Sequence, residues 1–259
     1  MSHMIVHAGW ASDIGKVRRE NQDAVVFLPE DGLFAVADGM GGLPCGKKAA
    51  ELACSLLQEY LAPLTERETE PDELADRVQK AVETLSGEIR AIGNPAGQPP
   101  SYGTTLCGAL LYQDEAILFN VGDSRAYLCR SGDPLLQLTE DHTLAQLLLD
   151  SGEITPEEFL VHPGRSRLTR FIGMAQRVNP DVIRCPVKAG DQLLLCSDGL
   201  YGMTGDSEIE AILRKRRSPQ DTCRALMECA NQAGGRDNIT AVLLQFQQTI
   251  DNMVQEGYR

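Results

Sequence analysis

Four aspartates, Asp23, Asp38, Asp198 and Asp237, stand at junctions between apolar runs and turns. Asp38 ends the run Leu33-Phe34-Ala35-Val36-Ala37 and is followed by Gly39, Met40, Gly41 and Gly42. Asp198 follows the run Gln192 to Cys196 and precedes Gly199; Asp237 follows Gly234-Gly235-Arg236 and precedes Ile239 to Phe246. Asp23 opens the stretch Ala24 to Leu28. A carboxylate at the tip of a buried strand is costly without a partner. A hard divalent cation is one partner, and it accepts backbone carbonyl oxygens as further ligands. The same residues would also be met as a strand, a turn and a solvated aspartate. No His or Cys stands at ligand spacing from these acids, so an oxygen-only donor set favours magnesium or manganese over zinc. Two such ions sharing a carboxylate lower the pKa of a bridging water and make a nucleophile near neutral pH. Arg18, five residues before Asp23, adds a guanidinium fork that matches phosphate oxygens. Cations, an arginine and the absence of a Ser/His/Asp arrangement point to hydrolysis of a phosphate ester.

These residues need strands to carry them. Ile5 to Trp10 reads as a first strand. Ala24 to Leu28 and Leu33 to Ala37, joined by Pro29-Glu30-Asp31-Gly32, read as a hairpin. In an antiparallel pair Asp23 and Asp38 then lie at the same end. Helical spacing of apolar residues runs over Lys47 to Leu61 and over Pro71 to Ile92, with Pro71, Asp72 and Glu73 suited to a first turn. Three strands follow as a meander, Thr104 to Tyr112, Ala116 to Val121 and Arg125 to Cys129, with Gly122-Asp123-Ser124 turning between the last two. Short helices are expected at Leu144 to Asp150 and Pro156 to Leu160, then a basic loop from His162 to Arg167. Strands return at Val182 to Val187 and Gln192 to Cys196. Helices at Ser207 to Arg217 and Pro219 to Ala233 lead to a last strand, Ile239 to Phe246. Strands, two helices, strands, two helices and a strand suggest an α+β fold: two mainly antiparallel sheets packed together and flanked by helix pairs, a four-layer α-β-β-α sandwich.

The chain has 259 residues, 42% of them hydrophobic, enough for one large domain or two small ones. A net charge of −13 argues against nucleic-acid or anionic-membrane binding. It suits a site that gathers metal cations. No apolar run approaches the ~18 residues that a membrane helix needs, and no signal peptide is visible. Ser2-His3-Met4 reads as a cloning remnant with Met4 as the start. Eight cysteines are scattered, several inside apolar runs and none in a Cys-x-x-Cys pair. They read as reduced thiols of a cytoplasmic protein.

In order along the chain come Arg18-x-x-Asn21-Gln22-Asp23; Asp38-Gly39-Met40-Gly41-Gly42; Tyr102-Gly103-Thr104-Thr105; Val121-Gly122-Asp123-Ser124-Arg125; Thr139-Glu140-Asp141-His142; His162-Pro163 with Leu168-Thr169-Arg170; Ser197-Asp198-Gly199-Leu200; and Gly235-Arg236-Asp237-Asn238. Each is weak alone, but the ordered set resembles the metal-dependent protein Ser/Thr phosphatases of the 2C type, the PPM family, in its compact bacterial form. The resemblance runs from about Gly9 to Phe246. It implies hydrolysis of phosphoserine and phosphothreonine on proteins at a binuclear Mn2+ or Mg2+ centre, in opposition to a cognate Ser/Thr kinase, by a monomer. It implies that Asp38 bridges two ions with the Gly39 carbonyl beside it, and that Asp198 and Asp237 bind the first. Asp23 would hold coordinated water, and Arg18 the substrate phosphate. Asp123 would build a third, weaker site with Asp198, and Asn238 would orient the ligands. A single catalytic domain over 5–247 is expected, with a flap at about 139–174 and a tail over 248–259.

Two departures from the family pattern matter. Gln22 stands where an acid is often found, so the second ion would rely more on water. Met40 stands where a histidine is often found, and Met cannot donate a proton. His142 is then the general-acid candidate by elimination, against its reading as a structural histidine. Other matches are discounted. Gly41 to Lys48 nearly matches a phosphate-binding loop, but Lys48 replaces the hydroxyl residue that binds magnesium. Asn238-Ile239-Thr240 is a glycosylation sequon at the start of a buried strand, and His3, His7 and His162 have no ligand partners at useful spacing. Two rival functions stay open: hydrolysis of small phosphate esters, and a catalytically dead regulatory domain.

Overall fold

The computed structural model describes residues 4–40, 43, 45–61, 70–93 and 101–248. One sheet has the order β1 (Met4–Asp13), β10 (Ile239–Gln248), β9 (Gln192–Cys196), β6 (Arg125–Cys129), β7 (Leu136–Gln137). The other has the order β2 (Asp23–Leu28), β3 (Leu33–Asp38), β4 (Leu106–Tyr112), β5 (Glu115–Val121), β8 (Asp181–Pro186). All neighbours in both sheets are antiparallel.

Side-chain alternation along each strand decides what faces what. In β3, Phe34 and Val36 point into the space between the sheets, while Leu33, Ala35 and Ala37 point to the helices. In β9, Leu193 and Leu195 point between the sheets and Leu194 and Cys196 outward; in β10, Val242, Leu244 and Phe246 point inward. Outside the second sheet lie α1 (Gly46–Leu61) and α2 (Pro71–Gly93), which bury Ala53 and Leu57, and Val78, Val82 and Leu85. Outside the first sheet lie α5 (Asp198–Tyr201), α6 (Asp206–Leu213) and α7 (Pro219–Gln232), burying Leu200, Ile209, Leu213 and Leu226. Each of the Leu, Ile and Val side chains contributes about 1.5–3 kcal/mol by leaving water. The four-layer sandwich is therefore present. Between β7 and β8 come α3 (Leu144–Asp150), α4 (Pro156–Val161) and a 3-10 turn over Pro163–Ser166.

Several boundaries differ from expectation. β1 extends to Asp13, beyond Trp10, because its whole length pairs with β10. β4 starts at Leu106, since Thr104 makes only isolated bridges to Gly39 and Ile172. Ile92, placed on the apolar stripe of α2, is 60% exposed on the last turn of the helix. Asp198 does not prolong a strand: β9 stops at Cys196 and Asp198 begins a one-turn helix. Gly41, Gly42 and most of the 248–259 tail fall outside the described residues, although β10 reaches Gln248.

Candidate metal centre and active site

The inward-facing rows that form the core between the sheets turn polar at one edge. Asp23 shares its parity with Val25 and Phe27, Asp38 with Phe34 and Val36, Thr105 with Cys107, Ser197 with Leu195, and Thr240 with Val242. Asp23 lies directly opposite Asp38 in the β2–β3 register. The hairpin thus delivers both acids to one place, as its turn suggested. There a cavity of about 330 Å³ opens, lined by Arg18, Asp38, Asp123, Asp198, Asp237 and Asn238 among others.

The backbone of Asp38 is tightly held. Its N–H donates to Thr105 Oγ1 at 3.0 Å. Its carbonyl accepts from the Thr105 N–H at 2.9 Å and the Thr104 hydroxyl at 2.8 Å. Gly39 is required by close approach, because a Cβ there would sit 2.5 Å from the Gly46 backbone at the start of α1. Asp23 stands behind the cavity wall. Its Oδ2 accepts the hydroxyls of Thr240 at 2.6 Å and Ser197 at 2.8 Å. Asn238 ties down the 14–22 loop: its Oδ1 accepts the Gln22 N–H at 2.8 Å, and its Nδ2 donates to the carbonyls of Ile14 and Glu20, each at 3.0 Å. That loop carries Arg18, whose Nη2 donates to Asp237 Oδ2 at 2.6 Å.

The electrostatics call for a cation. Burial pushes the Asp38 carboxyl well above the carboxylate range, and Asp23, Asp198, Asp123 and Asp237 push it further. Burial likewise raises Asp123, helped by Asp198. Asp198 is pushed up to about 6 by burial and by Asp237, offset in part by a hydrogen bond with Asp38. Asp23 is pushed up to about 6 by burial against the hydrogen bonds from Thr240 and Ser197. Asp23 Oδ1 and Asp198 Oδ1 are buried with no hydrogen-bond partner. Among the described residues no three acidic, histidine or cysteine side chains close into a ready-made cage, and Asp237 gives one oxygen to Arg18. The donor chemistry still fits a hard divalent ion: orphaned carboxylate oxygens, crowded like charges and, among the described residues, no imidazole or thiol lining the cavity.

This predicts a stability signature. Asp23 and Asp198 bind protons more tightly folded than unfolded, so the folded chain without cation holds extra protons between the unfolded carboxylate range and pH 6. Stability from these groups is present at low pH and lost as pH rises through about 6. Chelated protein should therefore lose Tm between about pH 5 and about pH 8, and saturating Mn2+ should raise Tm more at the upper pH. Scanning calorimetry checks this. A Mn2+ shift that is equal at both pH values would count against cations on these carboxylates.

Three expectations are corrected or extended. Of the two readings of His142, the structural one fits: it does not face the cavity, is 3% exposed and has both ring nitrogens engaged elsewhere, so it is no general acid. Met40 does line the cavity, and so do Ser166 and Leu168 from the 139–174 segment. The last two were missed; only Ser166 lies in the basic loop, and Leu168 directly after it. The hydroxyls of Thr105, Ser197 and Thr240 were also missed. Their signal was a small polar residue continuing the inward parity of an apolar strand.

A two-sheet sandwich with aspartates gathered at the edge between its sheets, and an arginine beside them, defines a metal-dependent hydrolase of phosphate esters. The sequence matches the family described as Protein phosphatase 2C over residues 16–244. It is 36% identical over 255 residues to the serine/threonine phosphatase stp of Listeria innocua, covering 97% of this chain and 98% of that one. The structure of serine/threonine phosphatase Stp1 from Staphylococcus aureus is similar at a TM-score of 0.84 and 30% identity, covering 93% of this chain and 95% of that one. The catalytic domain of the phosphatase PstP, solved with two manganese ions, is similar at a TM-score of 0.80 and 33% identity, covering 94% and 99%. The chain belongs to the protein phosphatase 2C family.

Proposed function

We propose that the chain hydrolyses phosphoserine and phosphothreonine on proteins, as a single catalytic domain over residues 5–247 in which 139–174 is the flap. The observation that carries this reading is the crowding of Asp38, Asp123, Asp198 and Asp237 around one cavity that Arg18 also lines. Asp38 with the Gly39 carbonyl, Asp198 and Asp237 would hold two Mn2+ or Mg2+ ions, and Asp123 with Asp198 would hold a third. Bound there, such ions activate water and neutralise charge on a phosphoryl group. Arg18 clamps the phosphate with its fork. Asp23, its Oδ2 fixed by Ser197 and Thr240, would hold coordinated water through its unpartnered Oδ1. Asn238 keeps the Arg18 loop against the ligands. Among the described residues no histidine or lysine lines the cavity, and water is the proton donor to the leaving alkoxide in this reading.

The proposal extends to a cognate Ser/Thr kinase whose marks the enzyme removes, and to a cytoplasmic monomer. All eight cysteines are free, and among the described residues no helix is long and apolar enough to cross a membrane. Assay of the chain on phosphoserine, phosphothreonine and phosphotyrosine peptides and on small phosphate esters, with and without Mn2+, tests the reading. Mn2+-dependent turnover confined to small esters would reject it.

Asp123 separates the cation sites. It is 6% exposed at the cavity wall, and affinity follows the number of charged ligands. Asp123→Ala should still bind two ions in calorimetric titration but hydrolyse phosphopeptides at least ~10-fold more slowly. Unchanged turnover at every manganese concentration would leave Asp123 as a turn residue.

A further inference from the structure

Thr139-Glu140-Asp141-His142 and the pair Thr169-Arg170, which follows the cavity-lining Leu168, converge behind Asp123 rather than in the cavity. The His142 N–H donates to the Gly122 carbonyl at 2.9 Å, and His142 Nδ1 accepts the Gly122 N–H at 3.1 Å. One residue thus takes both backbone polar groups of Gly122, the N–H of the peptide before its Cα and the C=O of the peptide after it. Gly122 has φ +112, and a Cβ there would meet Thr105 at 2.7 Å, so this turn has little room to settle elsewhere. On its other side the Asp123 carbonyl accepts the Tyr201 hydroxyl at 2.8 Å.

Because Nδ1 accepts, the ring proton sits on Nε2 and goes to Asp181 Oδ2 at 3.0 Å. Arg170 Nη1 lies 2.8 Å from Asp181 Oδ1. It also lies 3.0 Å from His142 Nε2; with that nitrogen protonated, its hydrogen is directed to the carboxylate. Asp181 therefore bridges ring and guanidinium. The His142 carbonyl accepts the Thr169 N–H at 2.8 Å. The imidazole links three things: the turn that presents Asp123, the start of β8, and the strand-like return of the 139–174 segment.

We propose that His142 is a positioning residue: its ring, oriented by Asp181 and Arg170, holds the Gly122 N–H while its backbone N–H holds the Gly122 carbonyl, and together they set the direction in which Asp123 enters the cavity, tying that carboxylate to the root of the 139–174 segment. This rests on the phosphatase reading of Asp123 as a cation ligand. Groups that orient ligands in this way typically contribute ~10–100-fold to metal affinity or activity.

Asparagine and glutamine separate the two ring bonds. His142→Asn keeps an acceptor near the Nδ1 position, whereas His142→Gln keeps a donor near Nε2 and loses that acceptor. The expected result is that H142Q lowers kcat by ~10-fold or more while calorimetric affinity for the two tight ions stays within ~2-fold, and that H142N retains most of kcat. In the D123A background, H142Q should add less than ~2-fold, because its effect runs through Asp123. An equal loss in that background, an H142N as poor as H142Q, or an H142Q equal to the parent would each overturn the proposal. If H142Q does not fold, 15N spectroscopy of the unaltered protein decides: a coupling from the Gly122 N–H to an unprotonated His142 Nδ1 supports the proposal, and a protonated Nδ1 overturns it. Failure of the phosphatase reading would show separately, as a parent protein without Mn2+-dependent phosphopeptide turnover.

Discussion

Asp38→Asn should remove nearly all turnover and, at the same time, raise the Tm of chelated protein. The two effects share one cause. Asp38 is half-buried at the edge between the sheets, where burial and four neighbouring carboxylates disfavour its charge. An amide of the same shape relieves that repulsion and can donate to Asp198. The fold is stabilised where the site is disabled, as expected when a local rule is broken for function. The activity loss should be roughly a thousandfold or more, since several kcal/mol of charge stabilisation depend on a cation held by this group and each 1.36 kcal/mol is tenfold. Asp198→Asn should behave similarly, because its Oδ1 is buried without a hydrogen-bond partner. Asp237→Asn should lose activity with little gain in Tm, because Asp237 is a third exposed and already paired with Arg18. Steady-state kinetics with Mn2+ and calorimetry under chelation test the set. Near-parental turnover in D38N would end the two-ion reading. A fall in Tm would show that the carboxylate is partnered within the protein.

The sequence made the elements legible because apolar runs, glycines and prolines act locally. The Asp23–Asp38 pairing was readable for the same reason: a short turn fixes the register of a hairpin. What stayed hidden depends on distant contacts. Every residue from Leu33 to Ala37 is buried, so the run carries no alternation in polarity. Which of its residues face the other sheet, and hence where Asp38 points, became apparent only once both sheets were in place. The one-turn helix at Asp198 was read as strand end because four residues carry no helical period. His142 looked available for proton transfer because nothing within the sequence near it reveals Gly122 or Asp181 as partners. The two-residue β7 has too little length to leave a pattern.

The Arg18–Asp237 pair joins residues 219 apart in the chain, and it makes a prediction that phosphate binding alone would not. A divalent ion on Asp237 and the Arg18 guanidinium compete for the same carboxylate. Removing Arg18 should therefore help the ion and hurt the substrate. The pair is substantially exposed, 42% and 33% by side chain, so water screens it and it is worth at most about 1 kcal/mol. Arg18→Ala should then tighten the Mn2+ affinity of the Asp237 site by no more than about fivefold. The loss on the substrate side is larger. A charge-assisted fork to phosphate is worth about 1.5–3 kcal/mol, so kcat/KM for phosphopeptides should fall about 10- to 200-fold. Arg18→Lys should recover only part of that, since an ammonium presents one point of charge in place of two parallel donors. Competition by inorganic phosphate should weaken in step with kcat/KM. Calorimetric Mn2+ titration beside inhibition by phosphate separates the two roles. Weaker Mn2+ binding in R18A would mean that Arg18 supports the cation site instead of competing with it. Unchanged phosphate inhibition would place the guanidinium outside the substrate's reach, leaving it as the counter-charge of Asp237 alone.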